Sequence, residues 1–322
     1  MQALSIEHIN DLIEAQLLTW QEAKTNFDRL RDIERKPMPI GDFPVASQLN
    51  PARIRSTAAA VDKESISKRS CFLCKTNRPQ EQMAGTWPTE EWELLVNPYP
   101  ILPVHFTITS TRHIPQAEIP ADMAIMAENA PSLVFFYNGA RAGASAPDHL
   151  HCQAMLKSEL PIVNLVEKHH PEKREGWMSS EEYGLNLPFN FMSAIIKPGL
   201  PGMFNLSRVL TAFGIDSETG EKDTALVNAF FWISDSGFLR IAIVPRRAHR
   251  PSLYFLPEGE RYMISPGAVD MAGLLIVPRE EDFRRLSPDI ISRIYAETAF
   301  AGPLPEEIKA NFRPPENLLE YV

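Results

Sequence analysis

The run Ser145-Ala-Pro-Asp-His-Leu-His-Cys-Gln-Ala154 decides how this chain is read. His149, His151 and Gln153 alternate with Leu150, Cys152 and Ala154, which predicts a strand with the polar three on one face and the apolar three entering a core. Same-face neighbours on a strand stand about 6.5–7 Å apart. Two imidazoles and an amide held beside an apolar core are costly to bury without purpose, so the row reads as a reaction centre.

Immediately upstream, Phe135-Phe-Tyr-Asn-Gly-Ala-Arg-Ala-Gly-Ala-Ser145 reads as an apolar strand and then a loop containing Asn138, Gly139, Arg141, Gly143 and Ser145. Glycines let backbone N–H groups approach an anion and Arg141 adds a fork of donors, so phosphate is the expected guest; a hairpin connection is the plainer alternative. Cys71-Phe-Leu-Cys74, followed by His113 and His149, has the composition of a four-ligand tetrahedral zinc set. The cysteine pair is open to two other readings, a redox couple or two buried thiols, although no thioredoxin-like context surrounds it.

In chain order, the C-x2-C pair, Leu95-Val-Asn-Pro-Tyr-Pro-Ile-Leu-Pro103, Ser110-Thr-Arg-His-Ile-Pro115 and the His-x-His-x-Gln strand resemble the galactose-1-phosphate uridylyltransferase branch of the histidine-triad superfamily, over most of residues 70–160. Asn138-Gly139 through Gln153 is also similar to diadenosine tetraphosphate phosphorylases. The Asp148–Ala154 register with Glu159-Leu-Pro161, together with Ser265–Gly273 and Val277–Phe283, looks like GDP-hexose phosphorylases.

The resemblance implies that His151 is the nucleophile toward the α-phosphorus of a nucleotide and that Gln153 holds the nucleotidyl group on it. It implies a structural zinc on Cys71, Cys74, His113 and His149, with Asn97 and Asn138 near the nucleotide. The activity implied is a nucleotidyltransferase, moving a nucleoside monophosphate from a nucleotide sugar or dinucleoside polyphosphate to phosphate or a sugar 1-phosphate. Two departures stand out: three residues rather than two separate Ser145 from His149, and the phosphorylases generally do not use cysteines for zinc.

The chemistry of the row agrees with that implication. A neutral imidazole is a good nucleophile toward phosphorus, and a covalent intermediate lets one enzyme exchange two phosphate-bearing leaving groups. Where hydrolytic members of the superfamily carry a third histidine, Gln153 offers an amide that donates a hydrogen bond but moves no proton, which favours transfer or phosphorolysis over hydrolysis. Two competing readings are a zinc-dependent nucleotide hydrolase, with His149 and His151 both on the metal, and a non-catalytic nucleotide-binding regulator.

The 322 residues, 44% of them apolar, suffice for a full core. A formal net charge of −9 speaks against general nucleic-acid binding, and no stretch is long and apolar enough to span a membrane. Three cysteines and no N-terminal signal pattern predict a cytoplasmic protein. The 28 prolines punctuate the chain into short strands and long connections.

Ile6, Ile9, Leu12, Ile13 and Leu17 at helical spacing make residues 1–45 an N-terminal helical segment packed on the outside. Residues 46–165 then form the catalytic half, 166–205 a linker marked by a charge run and Lys197-Pro-Gly-Leu-Pro-Gly202, and 206–322 a degenerate second half for packing and specificity. Leu94–Pro115 aligns without a gap on Phe230–Pro251, each reading as two strands and a turn of a half-buried antiparallel sheet. The expected fold is α+β: two histidine-triad-like halves with antiparallel sheets and packed helices, related by an internal repeat.

Alternation over Val104–Thr109 puts His105, Thr107 and Thr109 on a polar face, so His105 reads as a surface or pocket-rim residue rather than a ligand. His169 and His170 read as solvated. Arg246, Arg247 and His249 form a basic cluster that either meets a substrate phosphate or faces solvent. Asn50 and Arg53 could face the nucleotide, and Cys152 reads as a small buried apolar residue.

Overall fold

Runs such as Leu133-Val-Phe-Phe-Tyr-Asn138 and Val227-Asn-Ala-Phe-Phe-Trp-Ile233 are buried at every position, the mark of strands covered on both faces. In the computed structural model, which describes residues 3–197, 226–310 and 312, they lie at the centre of a nine-stranded antiparallel sheet. The strands are β1 (Arg35–Pro37), β2 (Ala46–Leu49), β3 (Ala84–Thr86), β4 (Trp92–Val96), β5 (His105–Ser110), β6 (Leu133–Asn138), β7 (His151–Leu156), β8 (Gly176–Ser179), β9 (Met192–Ile196), β10 (Val227–Ile233), β11 (Leu239–Pro245) and β12 (Leu274–Val277). The large sheet runs β3-β4-β5-β7-β6-β10-β11-β9-β8, and a small one runs β1-β2-β12. The expected α+β class is what the chain forms, and the large sheet is antiparallel as expected; in the small sheet β1 pairs antiparallel with β2, whereas β12 joins β2 in parallel.

One face of the large sheet buries Phe106, Ile108, Phe135, Cys152, Ala154 and Phe231 under the helices Ile6–Thr19 and Asp122–Asn129. In the first of these helices Ile9, Ile13 and Gln16 are buried, whereas Ile6 and Leu12 are exposed. The other face buries Val134, Phe136, Met155, Phe230, Trp232 and Val244 with the helices Pro161–His169 and Pro288–Thr298 and the small sheet. The hairpins are therefore buried on both sides rather than half-buried. Among the described residues no helix is long and apolar enough to cross a membrane.

The two halves share one sheet, joined by β6 pairing with β10. Outward from that seam the order is β6-β7-β5-β4 on one side and β10-β11-β9-β8 on the other. The same connectivity thus appears twice, and it equates β4–β5 with β8–β9 and β6–β7 with β10–β11. The gapless alignment of 94–115 on 230–251 is one hairpin out of phase, because two apolar strands around a turn look alike anywhere in a doubly covered sheet. β8 and β9 fall within 166–205, the segment read as a linker; Lys197 is described, and the rest of the Pro-Gly run and residues up to 225 lie outside the described residues.

With Phe136 and Phe230 as the central pair of the seam, the registers Phe136–Gln153 and Phe230–Ala242 put Arg240 where the first half has His151. Arg240 is buried and donates to the His170 carbonyl at 2.7 Å. His170 is not solvated. It is fully buried, with Nδ1 on Ser193 Oγ at 2.8 Å and Nε2 on the Arg174 carbonyl at 2.9 Å, and burial pushes its pKa down to about 4. His169 stacks on Tyr183 instead.

Candidate active site

β7 starts at His151, so His149 sits just before the strand, in a turn closed by its N–H on the Ala146 carbonyl. The expected row is thereby divided: His151 and Gln153 share the strand face, and His149 turns toward the cysteines. Cys152 and Ala154 enter the core as read, at 1% and 0% exposure.

His151 Nδ1 lies 2.7 Å from its neighbour's carbonyl, His149 O. A carbonyl only accepts, so the proton is on Nδ1 and the lone pair is on Nε2. Burial pushes the pKa of His151 down to about 4, which keeps this ring neutral at pH 7.

β6 and β7 pair only as far as Phe136–Gln153, and beyond that point the strands part. Gln116 fills the wedge. Its Nε2 donates to the carbonyls of Asn138 and His151, both at 2.8 Å, and its Oε1 accepts the His151 N–H at 2.8 Å. A Gln116→Leu variant leaves these buried groups unpaired, at about 1–3 kcal/mol for each. The expected outcome is a loss of at least about 3 kcal/mol in denaturant unfolding; an unchanged midpoint would refute the wedge.

His105 is a correction to the rim placement: it is fully buried, because the polar face of β5 is roofed rather than solvated. Its Nδ1 accepts the Ile101 N–H at 3.2 Å, so its Nε2 carries the proton and donates to Gln153 Oε1 at 2.7 Å. Burial, followed by the nearby Arg53 charge, pushes its pKa down to about 3. The amide of Gln153 is thereby oriented with oxygen toward His105 and its N–H groups free to face a ligand. Asn97 stands one strand farther off, with Nδ2 on Thr107 Oγ1 at 3.0 Å and Oδ1 accepting the Tyr99 N–H at 3.0 Å.

The proline-rich turn after Asn97 is short of N–H donors, and its carbonyls are met by side chains from the N-terminal region. Asn50 Nδ2 donates to Pro100 O at 3.1 Å, Arg53 to Tyr99 O at 2.9 Å and Gln48 to Ile101 O at 2.9 Å. Asn50 is thus a tether of the turn. Arg53 is a tether that also lines the cleft described below.

Cys71, Cys74, His113 and His149 converge, with their donor atoms all within 4.8 Å of one another. Cys71 Sγ is 3.3 Å and Cys74 Sγ 3.5 Å from His149 Nδ1, and Cys74 Sγ is 3.2 Å from His113 Nδ1. Such separations suit a tetrahedral ion with Zn–S and Zn–N bonds of about 2.3 and 2.0 Å. His149 Nε2 lies 2.8 Å from Ser110 O, the outer hydrogen bond that fixes the ring of a metal-ligating histidine. The donor set therefore fits zinc, and His151 lies outside it.

A cleft opens beside Gln153. Arg53, Asn138, Gly143 and Ser145 line it from the first half, and His249, Arg250, Ser265 and Gly267 from the second. His151 itself is 4% exposed and is not among the lining residues. Arg141 is exposed and outside the lining, and Gly139 gives its N–H to Val227 O. Gly143, at φ +100°, is needed for close packing, since a Cβ there would meet Gly267 Cα at 2.5 Å. Asn138 Oδ1 accepts the Ala268 N–H at 2.7 Å and an Asn228 Nδ2 proton at 3.1 Å, joining the two halves.

Sequence reasoning missed Arg250 and the contribution of Gly267. Of the basic cluster, Arg246 neither meets the cleft nor faces solvent: it is buried, and its donors go to Asn228 Oδ1 and to the carbonyls of Pro266, Thr298 and Ala248. Arg247 is exposed and lies over the Phe300 ring. His249 and Arg250 line the cleft, Arg250 stacking on Tyr254 at 4.3 Å and donating to Ser265 Oγ at 3.0 Å. Burial, then the charges of Arg250, Arg246 and Arg141, push His249 down to about 3. Arg53 is lowered to about 10 by burial, and burial raises Asp270 to about 6. The cleft is cationic, with guanidinium groups outnumbering the single lining carboxylate, as an anionic guest requires.

Residues 12–156 match a family model described as a domain of unknown function, DUF4922. No curated protein matches the chain in sequence. Among solved structures, yeast Ap4A phosphorylase Apa2 in complex with AMP superposes with a TM-score of 0.55 at 14% identity, over 88% of this chain and 96% of that one. The same yeast enzyme in complex with Ap4A gives a TM-score of 0.53 at 15% identity, over 87% and 96%. The likeness is one of fold: this chain has the α+β fold of that phosphorylase, along nearly its whole length.

Proposed function

We propose that the chain is a nucleotidyltransferase of the phosphorylase type, acting through a covalent nucleotidyl group on His151 Nε2. The observation that carries the reading is the fixed tautomer of His151: its proton is held by the His149 carbonyl, so Nε2 presents a lone pair beside the Gln153 amide. Nε2 attacks the α-phosphorus of the donor, and the bond to the leaving phosphate oxygen breaks with its electron pair. That oxygen belongs to a phosphate, which leaves without a general acid. Gln153, held by His105, donates to the phosphoryl oxygens and has no proton-shuttling capacity for activating water. An acceptor phosphate, either inorganic or that of a sugar 1-phosphate, then takes the nucleotidyl group.

The similarity in fold to an enzyme solved with AMP and Ap4A supports a dinucleoside polyphosphate as donor, with a nucleotide sugar as the second choice. The cationic cleft supports a guest with several phosphates. Asn138, Ser145 and Arg53 would face it from the first half, with Gly139, Arg141, Asn97 and Asn50 holding the surrounding loops. Zinc on Cys71, Cys74, His113 and His149 would supply a closed structural centre that ties down the turn before His151. That four-donor closure, without His151, speaks against the metal-hydrolase reading.

The test is acceptor dependence. Cleavage of Ap4A or of a nucleotide sugar should accelerate at least about 100-fold when phosphate or a sugar 1-phosphate is added, and should follow ping-pong kinetics. Equal rates in buffer alone would sink the transferase in favour of a hydrolase, and tight binding without turnover of any donor would favour a regulator.

A further inference from the structure

Thr109 is fully buried, and its Oγ1 has no hydrogen-bond partner among the described residues. A buried donor left unmet is destabilising, and it calls for a reason. In the β5–β7 ladder Thr109 is directly opposite His151, as Thr107 is opposite Gln153. Side chains so opposed share a face, with Cβ atoms about 4.5–5.5 Å apart. The Thr107 hydroxyl is already used, accepting from Asn97. Across the other side of β5, Thr109 faces Glu93, whose Oε2 accepts from Arg78 and whose carboxylate makes no hydrogen bond with the Thr109 hydroxyl. What remains across the ladder from the Thr109 hydroxyl, on the face the two side chains share, is His151.

Resting on the reading of His151 as the nucleophile, we propose that Thr109 is a further catalytic residue, whose hydroxyl donates a hydrogen bond to a non-bridging oxygen of the phosphoryl group carried on His151 Nε2. Gln153 approaches that group from along β7, and Thr109 approaches it from β5. In the first step the Nε2 lone pair forms the N–P bond while the P–O bond to the leaving phosphate breaks with its electron pair. In the second, an acceptor phosphate oxygen forms a new P–O bond and the N–P pair returns to Nε2. Thr109 keeps its proton throughout. Its donor is preorganised without a partner in the resting protein, so the hydrogen bond is gained only when the phosphoryl group arrives. Valine has the same shape and would pack this buried strand position without the unmet hydroxyl, so packing alone gives no reason for threonine.

The experiment compares wild type, Thr109→Val and Thr109→Ser for thermal midpoint, for kcat and KM with Ap4A and phosphate, and for label on His151 after a denaturing quench with α-phosphate-labelled donor. Thr109→Val is expected to keep or raise the midpoint, to lower kcat about 100-fold with KM for the donor little changed, and to slow labelling in a single turnover. Thr109→Ser should restore most of the rate. A valine variant with wild-type kcat overturns the proposal. So does one that unfolds or is clearly destabilised, because the hydroxyl would then be serving the fold. If wild type turns over with no label on His151, the nucleophile reading fails and takes this proposal with it; label in wild type with an unaffected valine variant removes Thr109 alone.

Discussion

His151→Ala is expected to lower turnover by at least about ten-thousand-fold while the fold and metal content survive, because it removes the attacking atom and nothing that holds the strand. The strand is held by backbone groups: Gln116 bonds the His151 N–H and carbonyl whatever the side chain. His149→Ala has a different signature. It removes a ring whose Nδ1 faces both cysteines and whose Nε2 is tied to Ser110 O, so it should lose zinc and stability together with activity. Quenching wild type with a donor labelled in its α-phosphate should leave acid-labile label on the protein, and none on His151→Ala. A His151→Ala protein that loses its metal, or a wild type that turns over and never retains label, would mean that a ligand had been mistaken for a nucleophile.

Removing the metal is expected to loosen the protein before it alters the chemistry. Purified protein should contain about one zinc per chain, and Cys71→Ser should abolish it. The reason lies in how little else holds the Cys71–Cys74 turn. Its apolar contacts form a separate small cluster of Cys71, Leu73 and Ala146, outside the two main cores. Among the described residues its side-chain ties are the Arg69–Asp148 ion pair, the Arg69 guanidinium over the Phe72 ring and Asn77 on the Cys71 carbonyl. Zinc would bind this turn to the one that positions His151, so chelation should lower the thermal midpoint by about 4–5 °C, the shift that about 3 kcal/mol produces in a chain of this size. Elemental analysis and melting with and without chelator check it. A metal-free wild type, or zinc retained in Cys71→Ser, would remove the site.

Chemistry that depends on residue type and short spacing was legible in the chain before any folding was known. Cys71, Cys74, His113 and His149 could be grouped because few other donor sets suit zinc, and these four do converge. The alternation from His151 onward specified a strand with Cys152 and Ala154 in the core, since side-chain direction on a strand has period two whatever surrounds it. The α+β class followed from the same patterns.

Alternation names a face of a strand but not what lies over it, and there the tertiary structure decided. His105 and Thr109 lie on the polar face of β5 as alternation requires, yet both are fully buried there. The expected rim residue is thereby the buried support of Gln153, and the Thr109 hydroxyl is an unmet donor across the ladder from His151. Gln116 carries no local signal at all, because its purpose arises where two strands part. The phase of the repeat, the burial of Arg246 and the arrival of Arg250 and Gly267 at the cleft are long-range facts of the same kind. They depend on which surfaces meet when β6 pairs with β10, and contacts between residues far apart in the chain leave no period in either segment to be read.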